Sequence, residues 1–354
     1  MQLLLIFILV LPFAFTLEWL SIGLLKWRDD DRSGCKNLKG LTKRQLRYCR
    51  RNTDVVTSIA IGAEMAYSEC QFQFKKRHWN CTLLDARERE RGRGVEAATR
   101  EAAFLHAISA AGVAYRVTKD CSRGLSDRCG CDHSASSRRP RQNTPSGSSQ
   151  KGVFEFEGCS DNIQYGIGVS REFVDAAEKA RNSSRLATLN LHNNRAGREV
   201  LEKSLRRECK CHGMSGSCEA MTCWHSMSPF RNIGEVIKDK FDGASEVLVE
   251  EDESKPRIVM KNSHLKRHTN TDLVYMRPSP DYCEMDEERG IIGTRGRQCD
   301  PDSAAIDGCQ LLCCNRGFER REVVRVEKCK CKFVYCCRVE CSNCTHREIS
   351  HFCH

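Results

Sequence analysis

Cys209-Lys210-Cys211-His212-Gly213-Met214-Ser215-Gly216-Ser217-Cys218-Glu219-Ala220-Met221-Thr222-Cys223-Trp224 places four cysteines around a tip rich in Gly and Ser. With Cys211 paired to Cys218 and Cys209 to Cys223, the bridges nest like rungs and force His212 to Ser217 into a tight exposed turn that presents Ser215. Four cysteines allow three pairings, so the spacing leaves the connectivity open. A zinc site of Cys209, Cys211 and His212 is a rival reading of the same residues. A hydrolase elbow is a weaker one, because the G-x-S-x-G pattern needs glycine where Ser217 stands, and no acid partner for Ser215 and His212 is identifiable.

Outward from this segment, cysteine is the informative residue type. The 354 residues include 24 cysteines, with 57 Lys+Arg against 47 Asp+Glu for a net charge of +10. Such an even and abundant set requires disulfides or metal and disfavours an ordinary cytoplasmic enzyme, and the 40% hydrophobic content disfavours disorder. Leu3 to Phe15 form an apolar stretch broken by Pro12, with Ala14 and Thr16 near a cleavage point, so residues 1–16 read as a secretory signal peptide. No Lys or Arg precedes this stretch and apolar character resumes at Leu20 to Trp27, which leaves an uncleaved signal anchor open, although Pro12 and Glu18 argue for the cleaved leader. A secreted chain pairs its cysteines by default.

The cysteines fall into groups that map the domains. Eight lie between Cys35 and Cys159, four between Cys209 and Cys223 and twelve between Cys283 and Cys353, with none from Trp224 to Tyr282. Before that gap, apolar residues recur at helical spacing over Val55 to Phe74 and Val95 to Val117, and further helices are expected from Ser170, over Leu186 to Leu205 and over Phe230 to Phe241. These make a helical bundle stapled by bridges. After the gap, Val247-Leu248-Val249, Arg257-Ile258-Val259 and Asp272 to Tyr275 read as short strands. Glu322 to Val339 alternates well enough to read as a long hairpin arm, within a block otherwise of short β-hairpins. The fold class is therefore α+β and disulfide-rich: residues 17–224 form a helical N-terminal domain, 225–282 its end and a linker, and 283–354 a cysteine-rich C-terminal domain.

The loop at 211–218 followed by Thr222-Cys223-Trp224 resembles the signature of the Wnt family of secreted signalling glycoproteins. Further matching stretches are Arg77-His78-Trp79-Asn80-Cys81, Ala110 to Ala114, Gly158-Cys159-Ser160-Asp161, Leu191 to Arg198, Asp307-Gly308-Cys309 and Leu312-Cys313-Cys314, in order along nearly the whole mature chain. The resemblance implies a two-lobed molecule whose thumb, residues 209–223, and index finger, residues 329–344, grip a receptor. It implies a monounsaturated fatty acyl group on Ser215, added in the endoplasmic reticulum by a membrane-bound O-acyltransferase (Porcupine), and no other cofactor. It also implies pairings of Cys209 with Cys223 and Cys211 with Cys218, together with Cys35–Cys49, Cys70–Cys81, Cys121–Cys129 and Cys131–Cys159. In the C-terminal domain it implies Cys283–Cys314, Cys299–Cys309, Cys313–Cys353, Cys329–Cys344, Cys331–Cys341 and the vicinal Cys336–Cys337. The partners implied are the carrier Wntless, the Frizzled cysteine-rich domain and a low-density-lipoprotein-receptor-related co-receptor; the chain is not an enzyme.

Several features bear on that reading. At about 0.8 kcal/mol per buried CH₂, a chain of some fifteen carbons contributes on the order of 10 kcal/mol gross, more than a loop of Gly, Ser and His gains from contacts. The second grip is the apolar tip Phe333-Val334-Tyr335-Cys336-Cys337, in which Tyr335 stands where many family members carry Trp. Asn80, Asn343 and, more weakly, Asn182 head glycosylation sequons. Arg138, Arg139 and Arg141, in a basic loop at 133–151, lack acidic neighbours and point to heparan sulfate proteoglycans or an anionic membrane surface, not nucleic acid. A disulfide- or metal-rich extracellular matrix protein is the alternative function. Phe154-Glu155-Phe156-Glu157 departs from the family, which usually shows aromatic residues before Gly-Gly-Cys.

Overall fold

The computed structural model describes residues 17–24, 35, 40–81, 95–133, 154–180, 184–251, 256–287 and 289–354. The signal peptide at 1–16, the basic loop from 134 to 151 and Asn182 lie outside the described residues. The chain divides into two compact units, one within 1–70 and 83–279 and the other within 71–82 and 280–354.

The first unit is built on helices. Helix α1 spans Lys43–Arg51, α2 spans Thr53–Phe74, whose last residues fall in the second unit, and α3 spans Arg100–Ser122. Thr42 and Gln45 form a reciprocal capping box at the start of α1, and the Thr99 hydroxyl accepts from the Ala102 amide to start α3. Strand β1, Phe154–Glu157, precedes α4, Ile163–Lys179, and α5, Arg185–Lys203. α3 is buried on nearly every side, as a helix at the centre of a bundle must be. Its small residues let neighbours approach closely. A Cβ on Gly197 of α5 would sit 2.0 Å from the Ala107 carbonyl, so only glycine permits this crossing.

The Leu191–Arg198 stretch has a structural role at that crossing. Both guanidinium nitrogens of Arg198 bond Asp175 at 3.0 Å, Asn194 donates to the same carboxylate at 3.1 Å, and both ion-pair side chains are buried. Asn193 donates to the Val274 carbonyl and accepts from the Val274 amide, each at 3.0 Å. Buried polar groups fully paired in this way fix one arrangement of α4, α5 and the chain at 274.

The remaining elements of this unit are β2, Leu205–Cys211; β3, Ala220–Met227; α6, Phe230–Asp242; β4, Ser245–Glu250; β5, Arg257–Met260; and β6, Val274–Tyr275. Strands β1, β3 and β2 form one sheet, with β1 parallel and β2 antiparallel to β3, and β5, β4 and β6 form another. Compared with the sequence reading, α3 starts five residues later than Val95 and Leu205 leaves its helix to open β2.

The second unit holds the short strands β7, Met285–Asp286, β8, Ile291–Ile292, and β9, Gln298–Cys299; one turn of helix α7, Cys309–Leu312; and the long strands β10, Phe318–Val334, and β11, Arg338–Cys353. Its apolar cluster is Cys299, Cys309, Leu312, Cys313 and Cys353, so bridges replace a core. As the sequence reading of a long hairpin arm expects, β10 and β11 pair over most of their length, extending beyond Glu322 and Val339 and interrupted by one register shift between Cys329 and Lys332. The disulfides are Cys35–Cys49, Cys121–Cys129, Cys131–Cys159, Cys209–Cys223, Cys211–Cys218, Cys283–Cys314, Cys299–Cys309, Cys313–Cys353, Cys329–Cys344 and Cys331–Cys341. Cys70 and Cys81 are also disulfide-bonded.

The vicinal bridge is a correction: Cys336 and Cys337 are free, with their sulfurs 2.8 Å apart. Both cysteines sit in the turn between β10 and β11, outside either strand. The turn at Cys337, with φ 78°, brings the sulfurs near each other but beyond the roughly 2.05 Å of a disulfide.

Candidate functional site

The segment that decides the fold forms a stapled hairpin. Cys209 pairs directly across β2 and β3 with Cys223, at a Cα separation of 4.1 Å, and Cys211–Cys218 closes the tip at 4.7 Å. Within the tip, His212 donates to the Ala220 carbonyl at 2.7 Å, Gly213 to Ser217 at 2.8 Å, Gly216 to Gly213 at 3.0 Å and Ser217 to Met214 at 3.1 Å. This turn needs its glycines: a Cβ on Gly213 would lie 2.0 Å from Ser217 Oγ, and Gly216 has φ 79°. Ser215 itself adopts left-handed backbone, φ 54° and ψ 27°, a conformation that costs a non-glycine residue roughly 1–2 kcal/mol. The staples hold it there, and strain of this kind concentrates at functional positions. Ser215 is exposed beside Met214, which is 90% exposed.

The tip is arranged for presentation. His212 Nε2 lies 2.8 Å from Thr222 Oγ1, which engages that ring nitrogen along the hairpin. The sulfurs of Cys209 and Cys211 are committed to disulfides and supply no thiolate, which removes the zinc reading. The other clusters of three metal-ligating side chains among the described residues, His78 with Cys283 and Cys314, and Cys299 with Cys309 and Cys313, are likewise built on disulfide sulfurs.

The foot of the hairpin is anchored by Gly158 to Asp161. The Asp161 carboxylate accepts from Lys119 Nζ at 2.7 Å, Ser122 Oγ at 2.6 Å and the Met227 amide at 2.8 Å, and Ser160 Oγ accepts from the His225 amide at 3.0 Å. These bonds tie β3 to α3, so a rigid helix carries the exposed tip. In the sequence Asp161 carries no signal beyond its place in the matching stretch Gly158 to Asp161. Phe154 to Glu157, which form β1, carry the period-2 alternation of Phe and Glu that is a strand signal.

In the second unit, the arm ends in the tip Phe333 to Cys337. Phe333 stands opposite Val339 and Val334 opposite Arg338, above the rungs Cys331–Cys341 and Cys329–Cys344. Tyr335 is 94% and Phe333 70% exposed. The cross-linked two-stranded arm thus holds large apolar side chains out into solvent. Asn80 is half-buried and Asn343 exposed on β11.

The sequence model described as the wnt family matches residues 37–354. "Protein Wnt-1" of Caenorhabditis elegans is 54% identical over 99% of this chain and 98% of its own length. "Protein Wnt-2b" of Homo sapiens is 42% identical over 97% of this chain and 84% of its own. The solved structure "Human WLS in complex with WNT8A" contains a chain that matches with a TM-score of 0.60 and 35% identity, covering 88% of this chain and 96% of that one.

Proposed function

The chain belongs to the Wnt family, whose members are secreted signalling ligands and not enzymes, and from that premise we propose that it is an acylated ligand of Frizzled receptors. The observation that carries the reading is Ser215, exposed and held left-handed at the summit of a doubly stapled hairpin. A fatty acyl ester there needs no pocket of its own, only access, and the tip offers access to the transferase in the endoplasmic reticulum. In the receptor complex the acyl chain enters an apolar groove of the Frizzled cysteine-rich domain and supplies most of the affinity, because each buried methylene contributes about 0.8 kcal/mol.

Phe333, Val334 and Tyr335 make the second contact. Their tip offers an aromatic anchor whose hydroxyl stays hydrated or finds a receptor acceptor. A low-density-lipoprotein-receptor-related protein is the co-receptor. Export requires a membrane carrier for the lipid, and the likeness to a chain of the WLS complex supports Wntless in that role. Heparan sulfate retains the secreted protein through the basic loop, and Asn80 and Asn343 carry glycans.

Binding to an immobilised Frizzled cysteine-rich domain tests the reading. Acylated wild type binds, and Ser215→Ala, folded identically because the hydroxyl makes no packing contact the tip needs, loses about a hundredfold or more in affinity, the scale of four buried methylenes. Equal affinity of the two proteins overturns the lipid-led reading.

A further inference from the structure

The sheet face below the tip carries apolar surface that the receptor reading does not use. In β1 the pleat sends Phe154 and Phe156 to one face and Glu155 and Glu157 to the other. Glu155 pairs with Arg207, while Phe154 and Phe156 are 72% and 57% exposed. Phe154 stands opposite Ala220 and Phe156 opposite Thr222, the residue whose hydroxyl meets His212 of the tip. Trp224 continues the stripe toward the foot: a Cβ on Gly158 would meet Thr222 Cγ2 at 3.1 Å and Trp224 Cε3 at 3.2 Å. His212, Thr222, Phe156, Phe154 and Trp224 therefore share one side of the sheet, and β1 is its edge strand.

We propose that this face is a shelf for the acyl chain of the same molecule, occupied whenever neither carrier nor receptor holds the lipid. The inference rests on the acylation of Ser215 proposed above. Ser215 is three residues from His212, at most about 10 Å of chain, and His212 bonds the Ala220 that faces Phe154. β1 stands one strand spacing, about 4.8 Å, from β3. An acyl chain that fills one leaflet, about 15 Å long, brings its distal carbons to the level of Phe154 and Phe156.

The tether decides the occupant. A chain attached at the tip meets the shelf at an effective concentration in the millimolar range or above, well beyond that of a free partner. Every methylene it covers on the shelf shifts partition between water and an apolar surface by about fourfold. The shelf covers only part of the chain. A closed receptor groove takes it from the shelf, whereas the open shelf lowers the chain's escape into membranes.

The test uses the secreted full-length protein, with Ser215 acylation checked by mass spectrometry, diluted from detergent onto neutral phosphatidylcholine vesicles. F154S/F156S partitions onto the vesicles about tenfold more than wild type, the effect of uncovering roughly two methylenes. F154L/F156L stays within about twofold of wild type, since leucine keeps the apolar shelf. In the Ser215→Ala chain the serine pair leaves partition unchanged or lowers it. Unchanged partition of acylated F154S/F156S overturns the shelf alone. A rise that persists in the Ser215→Ala background reports misfolding and also overturns it. A wild type without an acyl group on Ser215 overturns the shelf together with the acylation reading.

Discussion

Removing the inner staple as a pair, Cys211→Ala with Cys218→Ala, separates presentation of Ser215 from folding of the unit. The bridge closes a loop with a sequence separation of 7, which in the chain-entropy account contributes about 2.5 kcal/mol at 25 °C. The outer bridge, with a separation of 14, stays and is worth about 3 kcal/mol by the same account, so β2 and β3 keep their register. The expected fall in unfolding temperature is roughly 4–5 °C, measured on oxidised, purified protein by differential scanning calorimetry. The tip is affected more than the fold. Without the inner staple only the wider outer bridge closes the hairpin around Ser215, and its left-handed, competent population falls by a factor of up to about 70, the equivalent of about 2.5 kcal/mol. The fraction of secreted protein acylated at Ser215, read by peptide mass spectrometry, falls with it. Single Cys211→Ala is worse, because Cys218 is left as a reactive thiol that forms intermolecular disulfides. A double variant acylated as fully as wild type refutes the argument that the staple presents Ser215.

Two further outcomes follow from the helical unit. Arg198→Met leaves the buried Asp175 carboxylate with Asn194 but no cation, and stability falls by about 3–5 kcal/mol; chemical denaturation of the purified protein checks this, and a loss under 1 kcal/mol contradicts the role given to the pair. Burial holds the His192 imidazole below the ordinary histidine range, despite the Asp272 carbonyl that bonds its Nε2, and burial lowers His268 in the same direction. With the folded value below the unfolded one near 6.5, the unfolded chain binds more protons in the window between them. Stability is therefore full above about pH 6.5 and falls as pH drops below it. Unfolding temperatures recorded from pH 7.5 to 5 show that fall in wild type and less of it in His192→Asn; a profile that is flat or rises toward pH 5 contradicts it.

Helices with a long apolar stripe were legible because their periodicity is local. α2 and α6 lie within two residues of the sequence reading, at Thr53–Phe74 and Phe230–Asp242. α1 was not, since Lys43 to Arg51 is almost entirely polar, and its one signal is the box between Thr42 and Gln45. α3 begins late because Thr99 caps it and Ala98, at φ 67°, cannot be helical. The long arm is legible from the alternation over Glu322 to Val339, but its ends at Phe318 and Cys353 are not, because both faces of the arm are largely exposed and the alternation fades beyond those residues. The tip of the candidate site was readable from four closely spaced cysteines. Its support was not: Asp161 bonds Lys119, Ser122 and Met227, residues far apart in the chain, and such meetings leave no periodic trace. The vicinal Cys336–Cys337 bridge came from the family resemblance alone, and the two cysteines stand unbonded in the turn between β10 and β11.

The most direct measurement is the mass of the tryptic peptide that contains Ser215, taken from secreted, active protein. The account predicts a monounsaturated fatty acyl adduct on that serine. An unmodified Ser215 in fully active protein contradicts it and transfers the receptor contact to the Phe333–Tyr335 tip alone.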